Sequence, residues 1–252
     1  MIEILILSIV QGITEFIPVS SSSHLILISN FFNFENSSLS IDISLHIGSF
    51  FAILTYFRKE VINSIKNLDL FSKIFYASIP LMLVGFILIK FNIIEQIRSV
   101  KVIAWATIIF AIFLYYSDKC KLKKNIDRGF TLKSALIIGI FQILSLIPGV
   151  SRSGITISSA RLLNFKREDS VKISFLLSIP TLAALSIYGI FDLLKSNSLI
   201  FSIANFSSII LSFIFSYITV KYFVKYVRSY NLNIFVIYRI ILGLILLSVA
   251  YL

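Results

Sequence analysis

Apolar residues run through this chain in stretches long enough to cross a bilayer. Six are continuous: 42–57, 74–91, 101–117, 171–193, 200–222 and 233–252. A spanning helix takes about 20 apolar residues, and tilt or snorkelling flanks absorb the mismatch. Two further stretches, 2–33 and 131–164, are apolar on both sides of a polar centre, "IPVSSSSH" in the first and "IPGVSRSGIT" in the second. The strands of a transmembrane barrel would alternate polar and apolar residues over segments of about 10 residues. The sequence has no such alternation, so the pattern predicts an all-α polytopic membrane protein.

Charge orients these stretches. Lysines and arginines concentrate in 58–73 (Arg58, Lys59, Lys66, Lys73), 118–133 (Lys119, Lys121, Lys123, Lys124, Arg128, Lys133), 165–172 (Lys166, Arg167, Lys172) and 221–228 (Lys221, Lys225, Arg228). The connections 33–41, 90–101 and 194–199 carry only Lys90, Arg98, Lys101 and Lys195. Basic loops face the cytoplasm, which places the first set inside. Stretch 42–57 then runs from outside to inside, so 2–33 must end outside. Stretch 131–164 leaves the cytoplasm and returns to it, as a re-entrant helix–break–helix hairpin does. By analogy, 2–33 is a second hairpin dipping in from the outside.

The chain therefore reads as a single integral-membrane domain, 1–252, with six transmembrane helices and two re-entrant helix hairpins. Hairpin plus three spans occurs twice, over approximately 1–117 and 131–252, and the odd number of spans turns the second half upside down. Inverted-topology repeats place their sites near the bilayer midplane, where broken helices meet. "QGITEFIPVSSSSH" (11–24) and "QILSLIPGVSRSGIT" (142–156) agree with this, sharing a Gln, then Ile-Pro, then a serine cluster.

Composition narrows the function classes. Of 252 residues 58% are hydrophobic, and the net charge of +11 resides largely in the loops just named. Loops facing anionic lipid account for that charge, so no nucleic-acid partner is expected. Cys120 is the sole cysteine, which excludes a disulfide framework. Residues 2–17 are flanked by Glu3, with no basic n-region and no small-residue cleavage site. They are expected to remain in the mature protein.

The two breaks carry the chemistry. Pro18 is expected to end a helix near Ile17, and the serines after it suit an N-cap. Capping accounts for Ser22 and Ser23. It does not account for Glu15 and His24, because a charge at the bilayer centre costs about 2.5–3.5 kcal/mol even on the lenient insertion scale. Gln11 and Glu15 are four apart and share a helix face; Ser21 and His24 share another if helix resumes near Ser20. In the second break Gly149 and Gly154 permit close backbone approach. Free N–H groups at the start of the next helix, with the hydroxyls of Ser151, Ser153 and Thr156, make an anion cradle. Arg152 adds a charged fork matched to phosphate. Brought together, the tips supply a carboxylate, an imidazole, serine nucleophiles and an arginine-centred cradle, a set suited to hydrolytic phosphoryl transfer. A phosphate site inside a lipid-facing bundle implies a substrate with a phosphate head and an apolar tail.

These motifs, with "LHIGSFFAILTYF" (45–57), "ISFLLSIP" (173–180) and "FVIYRIILG" (235–243), resemble the undecaprenyl-diphosphate phosphatase family, the bacitracin-resistance proteins of bacterial membranes, over essentially the whole chain. The resemblance implies hydrolysis of undecaprenyl diphosphate to undecaprenyl phosphate and inorganic phosphate, which recycles the lipid carrier of cell-wall synthesis. It also implies the bacterial cell (inner) membrane, a site open to the outer face, and a divalent metal, Mg or Ca. Carried over by motif, the metal positions fall on Gln11 and Glu15, and the catalytic ones on Glu15, Ser21, His24 and Arg152. The substrate phosphate positions fall on Ser151, Arg152, Ser153 and Thr156, and Ser20, which caps or assists, is a further phosphate-binding candidate. The family takes Glu or Gln at the first metal position, and Gln11 offers no charge, so the metal would rely on Glu15, neutral oxygens and substrate phosphates. The nucleophile is Ser21, His24 or a water. Asp42, His46 and Arg161 are second-rank candidates, and Arg239 is expected to anchor the last helix. Expected partners are the polyprenyl diphosphate lipid and the membrane, with a homodimer allowed. The alternative function is a transporter of a phosphorylated lipid or anion, since inverted repeats with midplane sites are also transporter architecture. Translocation would need the cradle but neither Ser21 nor His24.

Overall fold

The computed structural model describes residues 2–32, 39–66, 68–91, 93–195 and 203–251. The first broken stretch folds as α1 (Ile2–Thr14) and α2 (Ser21–Phe32), followed by α3 (Leu39–Tyr56), α4 (Arg58–Lys66), α5 (Leu68–Lys90), α6 (Ile93–Gln96) and α7 (Val100–Asp118). The short α8 (Ile126–Gly129) leads into the second, made of α9 (Leu132–Gln142), a single 3-10 turn (Ile143–Leu146) and α10 (Arg152–Leu162). The long helices α11 (Arg167–Lys195), α12 (Ile203–Ser229) and α13 (Asn233–Tyr251) follow. The described residues contain no strand, and α5, α7, α11, α12 and α13 are each long and apolar enough to cross a membrane. The protein is an all-α multi-pass membrane protein. Helix α3 occupies the stretch 42–57 and packs along α12.

Three of the expected basic loops are in fact helical. Residues 58–66 form α4 and 68–73 the start of α5, 165–172 hold the start of α11, and 221–228 the end of α12. An α-helix satisfies its own backbone, so it runs past the hydrocarbon without penalty while long cationic side chains reach water from its ends. Most of the connections 33–41 and 194–199 lies outside the described residues.

The basic segments meet at one end of the molecule, called the inner end below. Asp118 closes α7 and accepts hydrogen bonds from Arg161 (3.4 Å), Arg167 (2.7 Å) and the Leu232 N–H (3.2 Å). Arg228 pairs with Glu168 at 2.6 Å and Lys172 with Glu60 at 3.5 Å. The Ile126 N–H of α8 donates to Asp169 at 3.1 Å, and Lys124 bridges Phe165. The second hairpin thus leaves and re-enters at the same end. An aromatic chain ties the first break to α3, α11, α12 and α13: Phe16–Phe175 (ring centroids 5.3 Å), Phe57–Phe175 (6.0 Å), Phe175–Phe223 (6.1 Å) and Phe223–Phe235 (5.4 Å). Such pairs add about 0.5–1.5 kcal/mol each beyond their burial.

Each hairpin docks on a long helix distant in sequence: α1 packs on α12, and α9 on α5. A glycine marks both crossings. A Cβ on Gly12 would collide with Phe215 and Ser216, and one on Gly139 with the backbone of Ala77. Close crossings at small residues are how helices gain contact in lipid, where no hydrophobic effect drives them together. Helices α5 and α11 also face each other, and each carries a Ser-Ile-Pro sequence in its interior, at 78–80 and 178–180. Proline deletes a backbone hydrogen bond from its helix. The cavity described next is lined by α5 and α11 from the residue after each proline onward.

Candidate active site

Both breaks turn the chain by related means. Helix α1 stops at Thr14, short of the expected Ile17, and 15–19 form turns in which the Val19 N–H closes onto the Ile17 carbonyl (2.8 Å) around Pro18. In the second break the Val150 N–H reaches the Ile147 carbonyl at 3.2 Å. Gly149, with φ of 97°, takes the left-handed position that a turn of this kind demands behind Pro148. Each break then ends on a serine with positive φ, Ser20 at 80° and Ser151 at 71°, immediately before its helix. Non-glycine residues seldom adopt such angles. Ser151 Oγ caps α10 by accepting from the Gly154 N–H at 3.1 Å. The first helical position is therefore Ser21 in one tip and Arg152 in the other.

The tips meet directly. Arg152 Nη2 donates to Glu15 Oε1 at 2.6 Å, and Ser153 Oγ donates to the Ile17 carbonyl at 2.8 Å. From α13 the fully buried Arg239 donates to the carbonyls of Pro18 (3.3 Å), Gly149 (2.8 Å) and Val150 (3.1 Å), so it holds both tips. Its anchoring role therefore extends beyond the last helix.

Glu15 is the hub. Its Oε2 accepts from Ser21 Oγ at 2.6 Å and from Gln11 Nε2 at 3.1 Å. The same Gln11 Nε2 lies 3.0 Å from His46 Nδ1, and that nitrogen is 3.8 Å from Glu15 Oε2. An amide nitrogen only donates, so His46 Nδ1 accepts and a neutral ring carries its proton on Nε2, as this bonding network assigns it. Glu15, Ser20, Ser21, His46, Ser151 and Arg152 together line the polar end of a cavity of about 410 Å³. Its other end is apolar, between α5 and α11. Arg152 Nη1 is buried and has no hydrogen-bond partner among the described residues, which leaves a donor for a ligand.

The other sequence candidates are placed apart from this cluster. His24 turns away: its Nδ1 meets the Ser20 carbonyl at 2.7 Å, and its Nε2 meets the Tyr238 hydroxyl at 2.5 Å, with the two rings stacked. A carbonyl only accepts, so Nδ1 carries the proton and the tyrosine donates to Nε2. His24 thus braces the backbone of Ser20 and does not line the cavity. Thr156 is fully buried, bonded to the Arg152 carbonyl (2.8 Å) and to Ser174 (2.7 Å). Together with Ser153 it supports the tip from behind. Ser23 pairs with Ser20 at 2.9 Å, while the side chain of Ser22 lies outside the described residues. Asp42 stands one turn before His46 on α3, and Arg161 belongs to the inner-end knot around Asp118. Histidine reasoning from sequence favoured His24, one turn from Ser21. The signal for His46 was its presence inside an apolar stretch, and its partner Gln11 lies 35 positions away.

The donor set bears on the metal. Among the described residues no group of three His, Cys, Asp or Glu is placed to hold an ion, and Glu15 is the one carboxylate lining the cavity. Gln11 turns its Nε2 to Glu15 and His46, and its Oε1 is buried without a hydrogen-bond partner among the described residues. The Glu15 carboxylate fits an ion that draws its remaining ligands from phosphates and water, as Mg²⁺ does, and Gln11 Oε1 would join it only with the amide turned over.

Comparison with known proteins gives the chain a family. The family described as "Bacitracin resistance protein BacA" matches residues 4–245. A Pelagibacter ubique protein named undecaprenyl-diphosphatase is 48% identical over 99% of this chain and 98% of its own length. Proteins of the same name from Alteromonas mediterranea (38% identical, 97% of each chain) and Saccharophagus degradans (39%, covering 94% and 93%) are also similar. With the match running across both hairpins and nearly every residue between and after them, the chain belongs to the BacA bacitracin resistance family.

Proposed function

We propose that the protein hydrolyses undecaprenyl diphosphate to undecaprenyl phosphate and inorganic phosphate. The observation that carries this reading is one array. A serine hydroxyl 2.6 Å from a carboxylate, itself 2.6 Å from an arginine, stands at the polar end of a cavity whose other end is apolar. Before substrate binds, Arg152 and Glu15 neutralise each other, which lessens the cost of both charges at membrane depth. An arriving diphosphate competes for Arg152, through the unpaired Nη1 first, and draws the guanidinium from Glu15. Freed of that cation, Glu15 becomes the base for Ser21. The Ser21 proton passes to Glu15, Oγ bonds to the terminal phosphorus, and the bond to the bridging oxygen breaks, releasing undecaprenyl phosphate. Glu15 then releases its proton to solvent. In the second half, water attacks the phosphoserine, Glu15 takes a water proton and returns it to Ser21 Oγ, and phosphate departs. Arg152, Ser151 and the N–H groups opening α10 stabilise charge on the phosphoryl oxygens.

The His46 Nε2–H, with the ring held by Gln11, is a further donor for the phosphates. Mg²⁺ or Ca²⁺ would be held by Glu15 and the substrate, with Gln11 Oε1 joining only if its amide turns over, and would supply charge neutralisation on the diphosphate. With the inner end cytoplasmic, the cavity opens toward the outer leaflet of the bacterial cytoplasmic membrane. Purified protein in detergent is expected to release inorganic phosphate from undecaprenyl diphosphate, and Ser21→Ala to lose that release. Retained turnover in Ser21→Ala would make water the nucleophile. No release by the wild type would refute the assignment.

A further inference from the structure

Glycine inside a helix is about 1 kcal/mol less favourable than alanine, so an interior glycine calls for a reason. Five helical glycines have an evident one. A Cβ on Gly12, Gly48, Gly139, Gly189 or Gly243 would come within 3.0 Å of Phe215, Ile209, Ala77, Ile43 or Ile108, respectively. Gly85 on α5 is different. A Cβ there would meet a single atom, Leu146 Cδ2, at 3.5 Å, an ordinary contact, and no positive φ is required. Packing and backbone geometry both leave room for a side chain. What Gly85 does border is the apolar end of the cavity.

That end is built from two facing stripes. Leu81, Met82, Gly85, Phe86 and Ile89 come from α5, and Thr181, Leu182, Leu185 and Tyr188 from α11. Each set recurs at helical spacing, so it forms one continuous wall. The walls are not sealed from the bilayer: Phe86 is 59% exposed and Leu185 and Tyr188 are each 40% exposed. The cavity thus opens sideways, toward lipid, at the level of Gly85. A side chain at position 85 would project into the passage between the polar head site and this opening.

We propose that Gly85 is a specificity-determining residue, whose missing side chain admits the polyprenyl chain adjoining the diphosphate. The proposal rests on the phosphatase reading and adds the requirement for a long isoprenoid tail. It assigns tail recognition to the gap between α5 and α11.

The test is a chain-length ladder, from isopentenyl diphosphate through farnesyl diphosphate to undecaprenyl diphosphate, assayed by phosphate release with wild type, Gly85→Ala and Gly85→Leu. Wild-type kcat/KM is expected to rise with chain length. Gly85→Leu should flatten the ladder, lowering kcat/KM for undecaprenyl diphosphate by about tenfold through KM, as overfilling a fitted site does, with isopentenyl diphosphate little changed. Gly85→Ala should fall between them, and its melting temperature in detergent should match or exceed that of wild type. A wild-type ladder without chain-length dependence overturns the proposal, as does a Gly85→Leu loss equal for all three substrates. Wild type inactive on every member would count against the phosphatase reading itself.

Discussion

The two hairpin tips solve one backbone problem and, in the mechanism proposed above, divide one chemical task. Each breaks a helix with Ile-Pro, passes through a tight turn, and restarts helix behind a serine at positive φ. The residue opening the new helix differs. In the first tip it is Ser21, a hydroxyl bound to Glu15 of the same tip; in the second it is Arg152, whose guanidinium reaches across to that carboxylate. Both positions lie at a helix N-terminus, where the backbone already favours negative charge. A serine there can carry a transferred phosphoryl group, and an arginine there can hold the leaving or departing phosphate. Two different turns, each ending on a serine of positive φ, thus bring together in the proposed mechanism a nucleophile and an anion cradle, and neither is sufficient alone.

The largest effect that separates the halves is expected from Arg152. Arg152→Ala should lower kcat by about 10³–10⁵-fold, as loss of an arginine that stabilises a phosphoryl transition state does. It also leaves Glu15 buried without its cation, a penalty of about 3–5 kcal/mol for breaking such a pair. Adding Glu15→Gln to Arg152→Ala should restore much of the melting temperature and none of the activity. If activity returned with stability, the pair would be structural and the division of labour wrong. Smaller losses are expected at Ser151, the second tip's counterpart of Ser20. Ser151→Ala should cost about 1 kcal/mol of stability through its cap. Its kcat should stay within about tenfold of wild type, where Ser21→Ala loses turnover. Equal losses in the two variants would remove the distinction between the tips.

How much of this was legible beforehand depends on the range of the interaction. The breaks at Pro18 and Pro148 are local chemistry, since a missing N–H and the clash with the preceding turn act within one helical turn. The inner end was legible too, because charge distribution along the chain is itself the signal. Where each helix stopped was less so. Residues 58–66 form a helix although their basic character reads as loop. The site depended on distant partners. Glu15 and Arg152 are 137 positions apart, and His24 finds Tyr238 at a separation of 214. Helical spacing correctly puts Ser21 and His24 within one turn, yet their side chains diverge, one to Glu15 and the other to α13. Gly85 could not be distinguished from Gly48 or Gly189 by sequence, because only the neighbouring helix shows which glycine has room to spare.

The brace on His24 gives a finer probe. Tyr238→Phe removes one hydrogen bond and keeps the stacked ring, so a loss of about 0.5–1.5 kcal/mol in stability is expected, with His24→Ala somewhat larger. Both should act through the first tip alone. Addition of farnesyl diphosphate as ligand should raise the melting temperature of these variants as much as that of wild type, since the Arg152 cradle is untouched. A missing ligand-induced rise in Tyr238→Phe would place His24 in contact with phosphate instead.

The smallest effects test whether the two turns are really equivalent. Ser20 and Ser151 each hold a left-handed angle that strains a side-chain-bearing residue by about 1–3 kcal/mol. Replacing either with glycine relieves that strain. It also frees the unfolded chain by about 0.4–1 kcal/mol and, at Ser151, weakens the cap by a few tenths. The relief equals or exceeds these losses, so Ser20→Gly and Ser151→Gly should each melt at, or a few degrees above, the wild-type temperature. The alanine variants keep the strain; Ser151→Ala also loses the cap and Ser20→Ala the hydroxyl pair with Ser23, so both should melt lower. The decisive outcome is parallel behaviour: glycine tolerated and alanine penalised at both positions means that one backbone device was used twice. Tolerance of glycine at Ser151 but not at Ser20 would show that the first tip depends on the Ser20–Ser23 hydroxyl pair, 2.9 Å apart, as well as on the turn.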